Sequence, residues 1–165
     1  MADVTNGGAA PGNETRRQIA INAQYVKDLS FENPRAPHSL LQPPEGVAPE
    51  LQVGVDVKAQ GLAPDVYEVI LTLKAETKLS GEVVFVAELS YGAVVTLINT
   101  TPEDVPPALM VETPRLVFPY VRNIISEVTR DGGYTPLLLS PIDFAEIYRR
   151  RLAEQAQPPA GILPV

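Results

Sequence analysis

Apolar and polar residues change their spacing along this chain, and the change separates strands from helices. From Gln18 onward, Ile19, Ile21, Ala23 and Tyr25 alternate with Ala20, Asn22 and Gln24, the period of two of a strand with one buried face. Leu29 and Phe31 continue that apolar set, while Asp28, Ser30 and Glu32 fall on the other face, so two carboxylates share one side of the strand. Leu51, Val53, Val55 and Val57 alternate with Gln52, Gly54, Asp56 and Lys58 in a second strand. Tyr67, Val69, Leu71 and Leu73 do the same against Glu68, Ile70, Thr72 and Lys74 in a third. The fourth, 82–97, is nearly continuously apolar through Val83, Val84, Phe85, Val86 and Ala87, and Glu88 interrupts it. Turn residues at 61–64 and 79–81 join the last three strands closely, which predicts an antiparallel sheet.

After residue 100 the period becomes helical. Thr101, Pro102, Glu103 and Asp104 form a capping signature for a helix that Pro106 and Pro107 should cut short, and Thr113 with Pro114 repeats the signature. Over 113–130, Val117, Val121, Ile124, Ile125 and Val128 fall on one stripe, ended by Asp131, Gly132 and Gly133, with Pro119 predicting a kink or a later start. Leu116, Phe118 and Tyr120 widen the stripe beyond what one sheet face covers. Either another segment of the same chain covers the surplus, or a second copy does, with Val117, Val121, Ile124, Ile125 and Val128 at the oligomer interface. Asp143 and Glu146 make a capping box for a last helix with Phe144, Ile147, Tyr148 and Leu152 on its apolar face and Arg149, Arg150 and Arg151 as a solvated, dipole-matched end.

Two stretches have neither period. Residues 1–17 read as a disordered lead-in and 156–165 as a disordered tail, leaving one domain over 18–155. Between the first two strands, 33–49 is a proline-dense crossover in which Leu40, Leu41 and Val47 provide something to pack, so it is expected to lie over the body of the domain.

Composition narrows the chemistry. The chain is 45% hydrophobic and 20% charged, enough for a core with apolar surface to spare. No apolar run is long enough to insert in a bilayer, and the first residues lack a secretory core, so a cytoplasmic location is expected. A net charge of −7 disfavours nucleic acid and anionic lipid and favours a basic partner. With no cysteine and with His38 as the one histidine, set in a proline-rich loop, neither a thiolate nor a histidine metal site is expected, nor a histidine triad. Gly132 and Gly133 follow a helix and so do not form a phosphate loop, which follows a strand. Asp28 and Glu32 have no convergent polar set around them, so the inventory predicts no enzyme and no cofactor.

Four runs in order then carry a resemblance: Lys27-Asp28-Leu29-Ser30-Phe31-Glu32-Asn33-Pro34, Asp65-Val66-Tyr67-Glu68-Val69, Leu116-Val117-Phe118-Pro119-Tyr120-Val121-Arg122, and Pro136-Leu137-Leu138-Leu139-Ser140-Pro141-Ile142-Asp143-Phe144. Together they resemble the SecB family of bacterial export chaperones over about 18–152. The resemblance implies an α+β fold: a four-stranded antiparallel sheet with a long helix and a C-terminal helix packed on one face, assembled as a dimer of dimers. It implies ATP-independent holding of unfolded precursor proteins and their delivery to SecA, the ATPase of the Sec translocon. It places SecA binding on Asp28, Glu32 and Glu88, and a client groove on Leu51, Val53, Val55, Phe144 and Tyr148. The crossover departs from the family in length and in having Val47 where some relatives carry tryptophan. Because some SecB-like proteins serve one toxin and antitoxin pair, a dedicated chaperone is the alternative implied function.

Overall fold

A computed structural model describes residues 16–41 and 46–156. Four long strands, β1 (Gln18–Glu32), β2 (Glu50–Ala63), β3 (Val66–Leu79) and β4 (Glu82–Ile98), form one antiparallel sheet in the order β1-β4-β3-β2. Tight turns close both hairpins, with Asp65 at φ 58° in one and Ser80 and Gly81 at φ 52° and 79° in the other. The helices cover one sheet face. Leu71, Leu73 and Ala75 of β3 and Ala87, Leu89, Ala93 and Val95 of β4 point to it and are fully buried.

Strict alternation fails in β1, and the register says where. Ile21 pairs with Val95 but Ala23 with Val94, and Val26 pairs with Tyr91 but Asp28 with Ser90, so Asn22 and Lys27 are bulge residues. The first bulge turns Ala23 and Tyr25 to the outer face, opposite Val94 and Gly92, and brings Gln24 and Val26 to the helix side. The second restores the original parity for Leu29 and Phe31. The expected single apolar set is therefore correct at both ends of β1 and inverted in its middle.

The helical region is continuous where the sequence predicts an interruption. Helix α1 (Val105–Pro107), a π-helical turn (Ala108–Glu112) and α2 (Thr113–Asp131) follow one another without a break. Pro106 and Pro107 occupy first-turn positions, where no amide hydrogen is needed, and so start the helix instead of stopping it. Thr113 is not a cap: it is fully buried, and both its N–H and its Oγ1 donate to the Ala108 carbonyl, the latter at 2.8 Å. The widened turn precedes Pro114, which has no N–H to continue an α-helical ladder. Pro119 lies inside α2 on its exposed side, where water can satisfy the carbonyl that lacks a partner. At the far end the Thr129 hydroxyl accepts from the Leu137 N–H at 2.9 Å, folding the following segment back on the helix. Helix α3 (Phe144–Ala156) begins as the capping box predicts, with the Glu146 N–H donating to Asp143 Oδ1 at 3.0 Å.

Candidate functional site

Along the helix-facing side of β2, Leu51, Val53, Val55 and Val57 form an aliphatic row whose burial is graded. Leu51 is 45% exposed and Val53 42%, Val55 is half-buried, and Val57 is buried. Since β2 is an edge strand among the described residues, the exposed part of this row adjoins backbone with no described strand beyond it.

The described parts of the crossover, residues 33–41 and 46–49, roof the Leu51 end. Their docking depends on the glycines that stop α2: Gly133, at φ 91°, adopts a conformation few other residues take, and a Cβ there would press on Leu40 at 3.1 Å. At Gly132 a Cβ would overlap the Phe31 ring. The Tyr134 hydroxyl donates to Asn33 Oδ1 at 2.6 Å and lies 2.8 Å from Ser39 Oγ, while Arg35 pairs with Glu82 across the β3–β4 turn. Phe85 lies between Phe31, on which it stacks at 5.7 Å between centroids, and Tyr134, which it meets tilted at 5.0 Å. Beneath this loop is a cavity of about 620 Å³ lined chiefly by Leu40, Val47, Leu51, Leu79 and Leu137.

A second cavity, about 810 Å³, lies at the other end of the row. Tyr148 and Met110 line it together with the consecutive β2 residues Val57, Lys58, Ala59 and Gln60. Four of the five groove residues expected from the sequence therefore lie on the row or the cavities, and Phe144 does not. It is 1% exposed and meets Phe118 edge-on at 5.9 Å, so it holds α3 to the core and cannot line a groove.

The same contact answers part of the question posed by the broad stripe of α2. Phe118 is covered by this chain's own C-terminal helix. Val117, Val121 and Ile125 are spent on the sheet core, which corrects their placement at an oligomer interface, and Ile124 and Val128 are half-buried. What remains outward is Leu116, 48% exposed, and Tyr120, 51% exposed, whose ring stacks on Tyr91 at 6.3 Å. Val26, brought to this side by the β1 bulges and paired with Tyr91, extends the patch.

On the opposite sheet face, the register places Asp28 beside Ser90, Ser30 beside Glu88 and Glu32 beside Val86, so Asp28 and Glu32 share a surface as their spacing predicts and Glu88 of β4 lies on it with them. Asp28 and Glu32 are exposed and Glu88 is half-buried, with Lys74 opposite it on β3.

Next to them is a polar cluster that sequence reading missed. Tyr25 lies across Gly92, where a Cβ would come 2.4 Å from the ring, and its hydroxyl donates to buried Glu68 on β3. Lys27 reaches the same carboxylate at 2.9 Å and Gln60 of β2 at 2.5 Å, so all four strands contribute. Hydrogen bonds from Tyr25 and Lys27 hold the Glu68 carboxyl below its usual range. The bond to Glu68 and burial push the Tyr25 hydroxyl up to about 12. A glycine inside an otherwise apolar strand was the one available signal.

Of the C-terminal arginines, Arg149 pairs with Glu146 at 2.8 Å, whereas Arg151 turns back to the sheet. Its Nη1 donates to the Val57 carbonyl at 2.6 Å and its Nη2 pairs with Asp56. Among the described residues no group of acidic or histidine side chains is arranged to hold a metal ion, and no helix is long and apolar enough to cross a membrane.

Residues 12–155 match the family model described as preprotein translocase subunit SecB. The chain is 50% identical to the protein-export protein SecB of Paramagnetospirillum magneticum, over 83% of this chain and 87% of that one. It is 43% identical to the protein of the same name from Maricaulis maris, over 98% and 92%. Among solved structures it is similar, with a TM-score of 0.60 and 15% identity over 75% of this chain and 90% of the other, to a SecB-like chaperone of Mycobacterium tuberculosis solved with a ChAD peptide from the HigA1 antitoxin.

Proposed function

The chain belongs to the SecB family, and from that premise we propose that it is a protein-export chaperone of the Sec pathway that holds unfolded preproteins along the β2 row. The observation that carries the site assignment is the exposure of Leu51 and Val53 on an edge strand between two open cavities. Aliphatic surface attracts any apolar segment, and a free strand edge pairs with any backbone, so such a site holds many sequences and needs no nucleotide. A folded protein hides both features and would be ignored. Relatives at 43% and 50% identity are export proteins by name, which favours export over service to a single toxin and antitoxin pair; the mycobacterial likeness, at 15%, speaks for the fold.

Delivery is assigned to the outer face. Asp28, Glu32 and Glu88 lie away from the groove, so a basic segment of SecA can dock there, in the cytoplasm, while a client stays bound. Assembly as a dimer of dimers is assigned to the outward surface around Leu116 and Tyr120. Reversing the three carboxylates to lysine should abolish binding to SecA while suppression of preprotein aggregation without ATP persists. Titration of SecA at two salt concentrations decides it, because an interaction steered by exposed charge weakens as salt shortens the screening length below about 8 Å. Wild-type affinity and salt dependence in the triple variant would contradict the assignment.

A further inference from the structure

We infer that Arg151 is a clasp that divides the client path along β2 and limits how far an extended client can pair with that edge; this rests on the holding function proposed above. In an antiparallel strand the N–H and C=O of one residue point to the same side, and successive residues alternate between the two sides. The Val57 carbonyl, bonded by Arg151 from outside the sheet, therefore belongs to the outward set. By the period of two, Val55, Val53 and Leu51 present their backbone groups outward as well. These are the residues whose side chains make the exposed and half-buried part of the aliphatic row. An unfolded segment laid antiparallel or parallel on this edge thus gains backbone bonds and side-chain burial from the same three residues.

At the fourth position it meets Arg151. The guanidinium fills the place a client N–H would take at the Val57 carbonyl, and its second arm is held by Asp56, so the obstruction is fixed at two points. Beyond it the cavity beside Val57, Lys58, Ala59 and Gln60 is open and has Arg151 itself in its wall. From Leu51 to Val57 an extended chain covers roughly 20 Å, at about 3.3 Å per residue. Clients held by a short segment stop at Val55; a longer segment reaches the second cavity by displacing the arginine and lifting α3 from the edge. The clasp is thus a specificity-determining feature that favours short, separated apolar segments over long continuous ones.

The test uses the full chain and a permanently unfolded probe, reduced and carbamidomethylated ribonuclease A, with amide hydrogen exchange resolved by residue. In the wild type, bound probe should protect the amides of Leu51, Val53 and Val55 and leave that of Val57 as it is in the free protein. In Arg151→Met, which keeps the apolar stem, protection should extend to Val57 and Ala59, and the probe should bind about fivefold more tightly. Asp56→Asn, which frees one arm and leaves the Val57 bond, should give an intermediate extension, and it serves in place of Arg151→Met if exchange in α3 shows that helix detached. Tighter binding alone does not suffice, since loosening α3 could cause it; the boundary of protection is the deciding readout. A boundary that stays at Val55 in both variants overturns the clasp and leaves the holding function standing. Failure of the wild type to bind the probe, or binding with no protection in β2, overturns the groove assignment on which the clasp rests.

Discussion

Glu68 shows what a single residue can hide from sequence reading. By period it is a polar position on a half-exposed strand, yet its side chain is buried and receives hydrogen bonds from Tyr25, Lys27 and Gln60, residues 8 to 43 positions away. Only Gly92, whose missing Cβ lets the Tyr25 ring cross β4, marked the place. The cluster makes stability depend on pH at both limits. The Glu68 carboxyl sits below its unfolded value, so its contribution is present above the ordinary carboxylate range and is lost as pH falls through the lowered one. The Tyr25 hydroxyl moves from 10.0 to about 12, so its contribution is complete below about pH 10 and disappears as pH rises towards 12. Tyr25→Phe should cost about 1.5–3 kcal/mol at neutral pH, as expected for a lost hydrogen bond to a charged group, and should flatten the alkaline decline. Urea unfolding across pH at fixed protein concentration measures both, and an unchanged alkaline limb would contradict the assignment.

At the scale of elements the sequence was most legible where one periodicity held throughout. The pattern of β2 and β3, the capping box of α3 and the glycine stop of α2 all appear as their residues predict, because each is decided locally. The middle of β1 was illegible because two bulges leave the composition unchanged while turning four side chains over. The helix start was misread for a different reason. Thr-Pro is a good cap when exposed, but burial against the sheet makes Thr113 an interior residue bonded to Ala108. Thr113→Asp separates the two readings: an aspartate cap would be neutral or stabilising, whereas a carboxylate at this buried site should cost several kcal/mol and lower the melting temperature by about ten degrees, on the order of 2–4 °C per kcal/mol for a domain of this size. An unchanged melting temperature would restore the cap.

At the scale of the whole molecule, the chain presents three surfaces: an outward helix face, an acidic outer sheet face and the β2 row with its cavities. The helix face is legible in the sequence as a surplus that includes Leu116 and Tyr120, since α2 has more apolar surface than the chain covers, but the stripe of Val117, Val121 and Ile125 expected at the interface is not part of it. Period alone cannot say which side of an apolar stripe meets the sheet, and Val117, Val121 and Ile125 turned inward while Leu116 and Tyr120 stayed out. Tyr120→Asp should therefore dissociate the proposed assembly and leave the subunit folded, whereas Val121→Asp should unfold it. Light scattering with circular dichroism on the two variants reads this difference, and an intact assembly in Tyr120→Asp would move the interface elsewhere.

The holding site is the central claim, and the sequence offers a direct way to locate it. Because the chain has no cysteine, any cysteine introduced is the only one and can carry a photoreactive group at a chosen position. Val53→Cys places it on the exposed row of β2, and Ser90→Cys places it on the outer face beside Asp28. The most direct measurement is the yield of crosslinks from each position to an unfolded preprotein, compared with the same preprotein once folded. The row should crosslink strongly to the unfolded chain and hardly at all to the folded one, with the outer face near background in both. Equal yields from the two faces, or a row that remains silent while preprotein aggregation is still suppressed, would contradict the account.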